Sequence, residues 1–126
     1  SGRMLLAHGF MRRVFEIFER YTTSIDMVTT SEVAVSLTID DTRHLDNIVK
    51  ELKELGQVDV DSSMTIICIV GHMILRNNGA IQQVFDALEE LPVRMVSIGG
   101  SMNNFSLLIE TSAKHEALNA LNKHLF

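Results

Sequence analysis

Few side chains in this 126-residue chain are spaced for catalysis. Its five histidines (His8, His44, His72, His115, His124) are scattered, with no partner at metal-ligand spacing, and the single cysteine, Cys68, sits in the most apolar run with no neighbouring base. No GxGxxG, phosphate-loop or nucleophile-elbow pattern occurs. Gly99 and Gly100 fall between two strand-like runs, where glycine supplies positive φ in a turn. The seven methionines occupy core-type positions, as packing residues do. Two other groups suggest binding chemistry. Residues 3–8 form a short loop into Gly9, which opens a helix, so the free backbone N–H groups of Gly9, Phe10 and Met11 make a small site for an anion such as a carboxylate. Asp26 is an acid in an otherwise apolar run (Ile25, Met27, Val28), with Ser31 and Glu32 at the next turn, and this group can receive an ammonium ion. Spacing alone favours Asp26 as a cap or turn former, and a glycine at a helix start such as Gly9 is also common for backbone reasons.

The elements that must hold these residues follow from periodicity. Phe10, Val14, Phe15, Ile17, Phe18 and Tyr21 recur at three and four residues, giving a helix over 9–20 with Arg12, Arg13, Glu16 and Glu19 on its wet side. Leu45, Ile48, Val49, Leu52 and Leu55 repeat the pattern, with Asp41 or Thr42 as cap and Gly56 as stop. A third helix carries Ile81, Val84, Phe85, Leu88 and Leu91 and ends at Pro92, and a fourth carries Ala117, Leu118, Leu121 and Leu125 behind Ser112. Strands are predicted at 24–29, 32–39, 58–60, 64–70, 93–98 and 104–109. The run 64–70 is nearly continuously apolar and is expected to be a central strand.

An internal repeat explains the order. A shift of 70 residues superposes Gly9 on Gly79, Val14 on Val84, Phe15 on Phe85, Leu37 on Leu107 and Ile39 on Ile109, and a shift of 68 places Met27 and Val28 on Met95 and Val96. At that shift Asp26 falls on Arg94, so the acid belongs to the first copy and is not demanded by the fold. Each full unit reads β-α-β-β-α-β, the ferredoxin-like split βαβ layout. The expected fold is therefore α+β, with two such units at 1–61 and 62–126, antiparallel sheets and helices on one face. The first unit is expected to lack its first strand and the second its last, as in a piece of something longer.

Composition narrows the functional classes. With 46% apolar residues the chain can core one ordinary domain or two very small ones. Eleven Lys and Arg against sixteen Asp and Glu leave a net charge of -5 with no basic cluster, which argues against nucleic-acid binding. One cysteine cannot form an internal disulfide, and the longest apolar stretch, 64–75, is short of the ~20 residues that span a bilayer. A cytoplasmic protein with no membrane partner is expected.

Two quoted segments resemble a known family. Met4-Leu-Leu-Ala-His-Gly-Phe-Met-Arg-Arg-Val-Phe-Glu-Ile-Phe and Ser24-Ile-Asp-Met-Val-Thr-Thr-Ser-Glu-Val-Ala-Val-Ser-Leu-Thr-Ile-Asp40 are similar to the C-terminal regulatory region of aspartate kinase, most of all the monofunctional, lysine-sensitive kind. The similarity continues through residues 58–71 and 84–101, and its most specific part is 26–33. Such regions consist of two ACT domains, small modules that bind amino acids.

The resemblance implies an allosteric function: binding of the end product L-lysine at the first unit, for feedback inhibition of a kinase that phosphorylates L-aspartate with ATP. It places Met4, Gly9, Phe10 and Met11 around the effector's α-carboxylate and α-amino group, and Ile25, Asp26, Ser31 and Glu32 around its side chain and ammonium. It puts this pocket at an interface with the same unit of a second copy, in a homodimer. Thr30 and Val33 would support the turn. The catalytic kinase domain, with its ATP and magnesium, has no counterpart in the chain, so no cofactor and no catalysis are expected of the chain itself. The competing readings are a dimerisation module without ligand, a sensor of threonine, S-adenosylmethionine or another amino acid, and a small enzyme such as an acylphosphatase. The last needs an arginine and an amide converging on a phosphate loop, which the chain does not offer.

Overall fold

A computed structural model describes residues 8–70, 78–98 and 104–125, and the chain falls into two units, Ser1–Val60 and Asp61–Phe126. In the first, helix α1 (Phe10–Arg20) leads into strand β1 (Ile25–Thr30), strand β2 (Val35–Ile39) and helix α2 (Leu45–Leu52). The apolar stripe of α1 buries Val14, Ile17 and Phe18 against Ile48 of α2, with Phe10, Tyr21, Ile25, Leu37, Ile39, Leu52 and Leu55 packed around them. Arg12 and Glu16, one turn apart on the wet face, form an ion pair.

Both ends of α1 turn on left-handed backbone, and these are the positive-φ positions among the described residues. Gly9 is the N-cap at φ +85°. At the other end Thr22 has φ +47°, its N–H bonds to the Glu19 carbonyl and the Thr23 N–H to the Phe18 carbonyl. That pair of bonds is a Schellman closure, with threonine where glycine is usual. Thr23, buried, donates its hydroxyl to the Tyr21 carbonyl at 3.1 Å.

Strands β1 and β2 pair antiparallel, Val28 opposite Leu37 and Thr30 opposite Val35. The hairpin tip takes residues that were expected in the strand 32–39: the Ser31 hydroxyl accepts from the N–H groups of Val33 (3.3 Å) and Ala34 (3.2 Å), so β2 begins only at Val35. Helix α2 starts on His44 without a side-chain cap. Asp41 instead folds onto Arg43, accepting from its backbone N–H at 3.0 Å and from its guanidinium at 2.6 Å. The expected strand 58–60 does not form. It is a short run between Gln57 and Asp61 in which Val60 is left 54% exposed, so no apolar face rewards pairing.

The second unit contains β3 (Met64–Val70), α3 (Asn78–Ala87), β4 (Val93–Ile98), β5 (Asn104–Glu110), a short 3-10 turn (Thr111–Ala113) and α4 (Lys114–Leu125). Its sheet has the order β3-β5-β4, both pairings antiparallel. β3 and β4 are therefore parallel and split by β5, as the β-α-β-β-α layout requires. This corrects one expectation: β5 is the central strand, and β3 lies at the edge of the described sheet. Continuous apolarity says nothing of hydrogen-bonded edges, and here it does not mean two covered faces, since Cys68 and Val70 are exposed. The core is formed by Ile67, Ile69, Val84, Leu88, Phe105, Leu107, Ile109, Ala117 and Leu121, and Phe85 meets Phe105 edge to face, centroids 5.8 Å apart. Cys68 is exposed, its sulfur 3.4 Å from the Ser106 hydroxyl.

Candidate effector site

Among the described residues, nothing caps the α1 amino terminus. Gly9 carries no side-chain cap, no acid lies in the first turn, and a Cβ built on Gly9 would meet nothing within 4 Å. The first N–H groups of a helix have no intrahelical acceptor, and the helix dipole makes them favourable to a carboxylate. The Gly9 carbonyl accepts from Arg13, so the helix is regular from its first turn. Phe10 and Met11 are half-buried beside this start. Met4 lies outside the described residues.

Asp26 is placed by a β-bulge. Pairing steps from Ile25–Ile39 to Met27–Thr38, which leaves Asp26 as the extra residue, exposed and turned out of the ladder. The Met27 N–H is satisfied by the Thr38 hydroxyl at 3.0 Å. The same bulge recurs in the second unit, where pairing steps from Val93–Ile109 to Met95–Leu108 and Arg94 is turned out. There Arg94 lies 3.9 Å from Asp61, whereas Asp26 has no ion pair among the described residues. The fold thus provides one outward position per unit, and the two units fill it with opposite charges. Alternation of apolar residues did not reveal the bulge, although Met27 and Val28, adjacent and both apolar, carried its trace.

Ser31 and Glu32 stand exposed at the hairpin tip, with the Ser31 hydroxyl accepting two turn bonds. Four residues, 21–24, join α1 to β1, so the two elements run antiparallel. The cleft between them, about 470 Å³, is lined by Phe15, Phe18, Glu19, Thr23, Ser24, Ile25 and Val28. Of its four aromatic and aliphatic members, Phe15 is 41% and Val28 40% exposed. Gly9 lies about 9 Å along the helix beyond Phe15, at the hairpin end. Asp26 lies at the opposite end, about 20 Å of strand and turn away from Glu32. One chain therefore groups Gly9, Phe10 and Met11 with the hairpin end, and keeps Ile25 and Asp26 apart from them.

Three charged pairs elsewhere in the unit are committed to structure, Arg12 with Glu16, Arg20 with Glu51 and Arg43 with Asp41. Hydrogen bonds from the Arg43 side chain and backbone hold the Asp41 carboxyl at a pKa of about 2. Hydrogen bonding with Tyr21 lowers the Glu51 pKa and raises that of the phenol, and Arg20 pairs with the same carboxylate. Among the described residues no group of three or more His, Cys, Asp or Glu could hold a metal ion, and no helix is long and apolar enough to cross a membrane.

Fold and repeat together define a tandem regulatory module of the ACT type, and residues 67–125 match the ACT domain family. A C-terminal regulatory domain of aspartate kinase from Porphyromonas gingivalis W83 superposes with a TM-score of 0.82 at 49% identity, over 92% of this chain and 79% of that one. The chain belongs to the family of aspartate kinase regulatory domains. It is 31% identical over its whole length to the lysine-sensitive aspartokinase 3 of Escherichia coli K12, of which it spans 30%. The structure of E. coli aspartokinase III in complex with lysine and aspartate, in its T-state, aligns with 98% of this chain and 29% of that one, with a TM-score of 0.82 at 32% identity.

Proposed function

We propose that the chain senses L-lysine through its first unit, residues 1–61, and transmits occupancy to an aspartate kinase as feedback inhibition, the second unit, 62–126, serving a structural and regulatory part. ATP and magnesium would belong to the kinase portion, and the chain itself would perform no catalysis. Likeness to the lysine complex of the E. coli enzyme supports this effector over threonine.

The observation that carries the reading is the placement of the two grips. Gly9 offers an open helix start and Asp26 an outward carboxylate, at opposite ends of one unit. A single amino acid is too short to reach both in one chain. Two copies solve this. In the described sheet β1 is bonded to β2 alone and leaves one edge unpaired. If the β1 edges of two copies join antiparallel about a two-fold axis near Val28, Asp26 of one copy comes opposite Thr30 of the other, the end at which the other copy's Gly9 lies. Carboxylate and ammonium of one zwitterion then meet donors and acids from different chains, and occupancy depends on how the copies are oriented. By linkage, the effector shifts the assembly toward the better-binding arrangement by no more than its difference in affinity.

The test is a thermal melt of the chain with lysine, threonine or methionine. A ligand bound only by the folded state adds about 2.7 kcal/mol at a hundredfold excess over Kd. Lysine is expected to raise Tm, and the others much less. A threonine shift would reassign the effector, and no shift with any amino acid would favour a dimerisation module without ligand.

A further inference from the structure

The far end of α1 is fastened in an unusual way. Arg20, its last residue, forms an ion pair with Glu51 of α2. Tyr21, the next residue, shares that carboxylate and sets its ring against His44, the α2 N-cap, with centroids 5.9 Å apart. One carboxylate thus gathers two donors, one from the last residue of α1 and one from its C-cap, and one ring ties the α1 end to the α2 start. The second unit closes the corresponding place differently. Under the 70-residue shift, Tyr21 corresponds to Leu91, which packs against the apolar core, and Arg20 corresponds to Glu90. The fold does not require a polar clasp there, and the first unit has one.

We propose that Arg20, Tyr21 and Glu51 are positioning residues for the effector site. The proposal rests on the lysine-sensing reading above. Helix α1 has 11 residues, about 16 Å. It is held in the unit by Val14, Ile17 and Phe18, buried in its middle and second half, by the half-buried Phe10 packed against the same cluster at its start, and by the clasp at its end. A rigid rod fixed at its middle and one end has its other end fixed too. Releasing the clasp lets α1 rock on its buried stripe, and the amides of Gly9, Phe10 and Met11 then move relative to β1. The clasp lies at the surface, with Arg20 exposed and Glu51 and Tyr21 half-buried, so its loss changes global stability little. What it changes is the geometry of the carboxylate site.

The test uses the full chain with Glu51→Gln, Tyr21→Phe and, as conservative rescue, Arg20→Lys. Lysine Kd is measured by calorimetry well below Tm, and backbone amide shifts are recorded without ligand. Glu51→Gln is expected to raise Kd about fivefold or more with Tm nearly unchanged. It is also expected to shift the amide resonances of Gly9 to Met11, a full helix length from the substitution. Tyr21→Phe should do the same to a smaller degree, and Arg20→Lys should stay within about twofold of the parent. An unchanged Kd in Glu51→Gln, with the parent binding normally, overturns the proposal alone. Amide shifts confined to residues 20–24 and 44–52 overturn it as well. A parent that binds no amino acid overturns the sensing reading, and this proposal with it.

Discussion

At the scale of single residues, two positions carry the proposed recognition. Gly9 lies at φ +85° with open space where a Cβ would point, and aspartate tolerates left-handed backbone better than most residues. Gly9→Asp should therefore fold, at a cost of about 1 kcal/mol, while lysine binding falls more than a hundredfold by calorimetry, because a carboxylate then occupies the carboxylate site. Measurable lysine binding by that variant at near-parental Kd would show the pocket to be elsewhere. Asp26 is the complementary case. Asp26→Ala should weaken lysine by about tenfold or more, the magnitude of a lost charge-assisted bond, and leave a neutral amino acid nearly untouched. Arg94→Ala, the same bulge in the other unit, should change neither. The candidate acid was legible as an oddity in an apolar run, and comparison of the two copies isolated it. Its bulge was not, because a one-residue slip in a six-residue strand disturbs the alternation at a single step.

At the scale of elements, α1 ends on a threonine that its backbone does not suit. Thr22→Gly relieves a left-handed β-branched residue, worth about 1–2 kcal/mol, against an entropic cost of about 0.5–1 kcal/mol. A net gain of about 0.5–1 kcal/mol in stability is expected by chemical denaturation. The entry to α2 supplies a pH dependence. The folded pKa of Asp41, about 2, lies below the ordinary 3.8, since hydrogen bonds to Arg43 favour the carboxylate. A depressed carboxyl pKa means the contribution is whole above about pH 4. It declines as pH falls toward 2 and is absent below. Carboxyl resonances should give an Asp41 midpoint near 2, and Asp41→Asn should remove that part of the acid limb. The helices were readable because each presents several apolar residues at one period. The cap of α2 was not, since Asp41 has a second use as a turn former with Arg43. The strand 58–60 was over-read, because two valines alternating with acids look like a strand until one asks what they would cover.

At the scale of the whole molecule, the repeat was the most legible feature, and it foretold the split order of the second unit. It could not tell which strand is central, a property of edges and not of side chains. The two-copy arrangement of the proposed site makes a prediction at this level. Sedimentation of the chain should show more dimer in saturating lysine than without it, and Asp26→Ala should lose that increase. Lysine bound to a chain that stays monomeric would contradict the shared site.

Keeping Gly9 and Asp26 at opposite ends of one unit has an effect beyond recognition. With the proposed shared site, a lone copy would not close its hand on the ligand, and half-saturation would slide as the chain is diluted. The signal passed to the kinase would then weigh amino-acid supply against the cell's own stock of enzyme, a ratio and not a simple level.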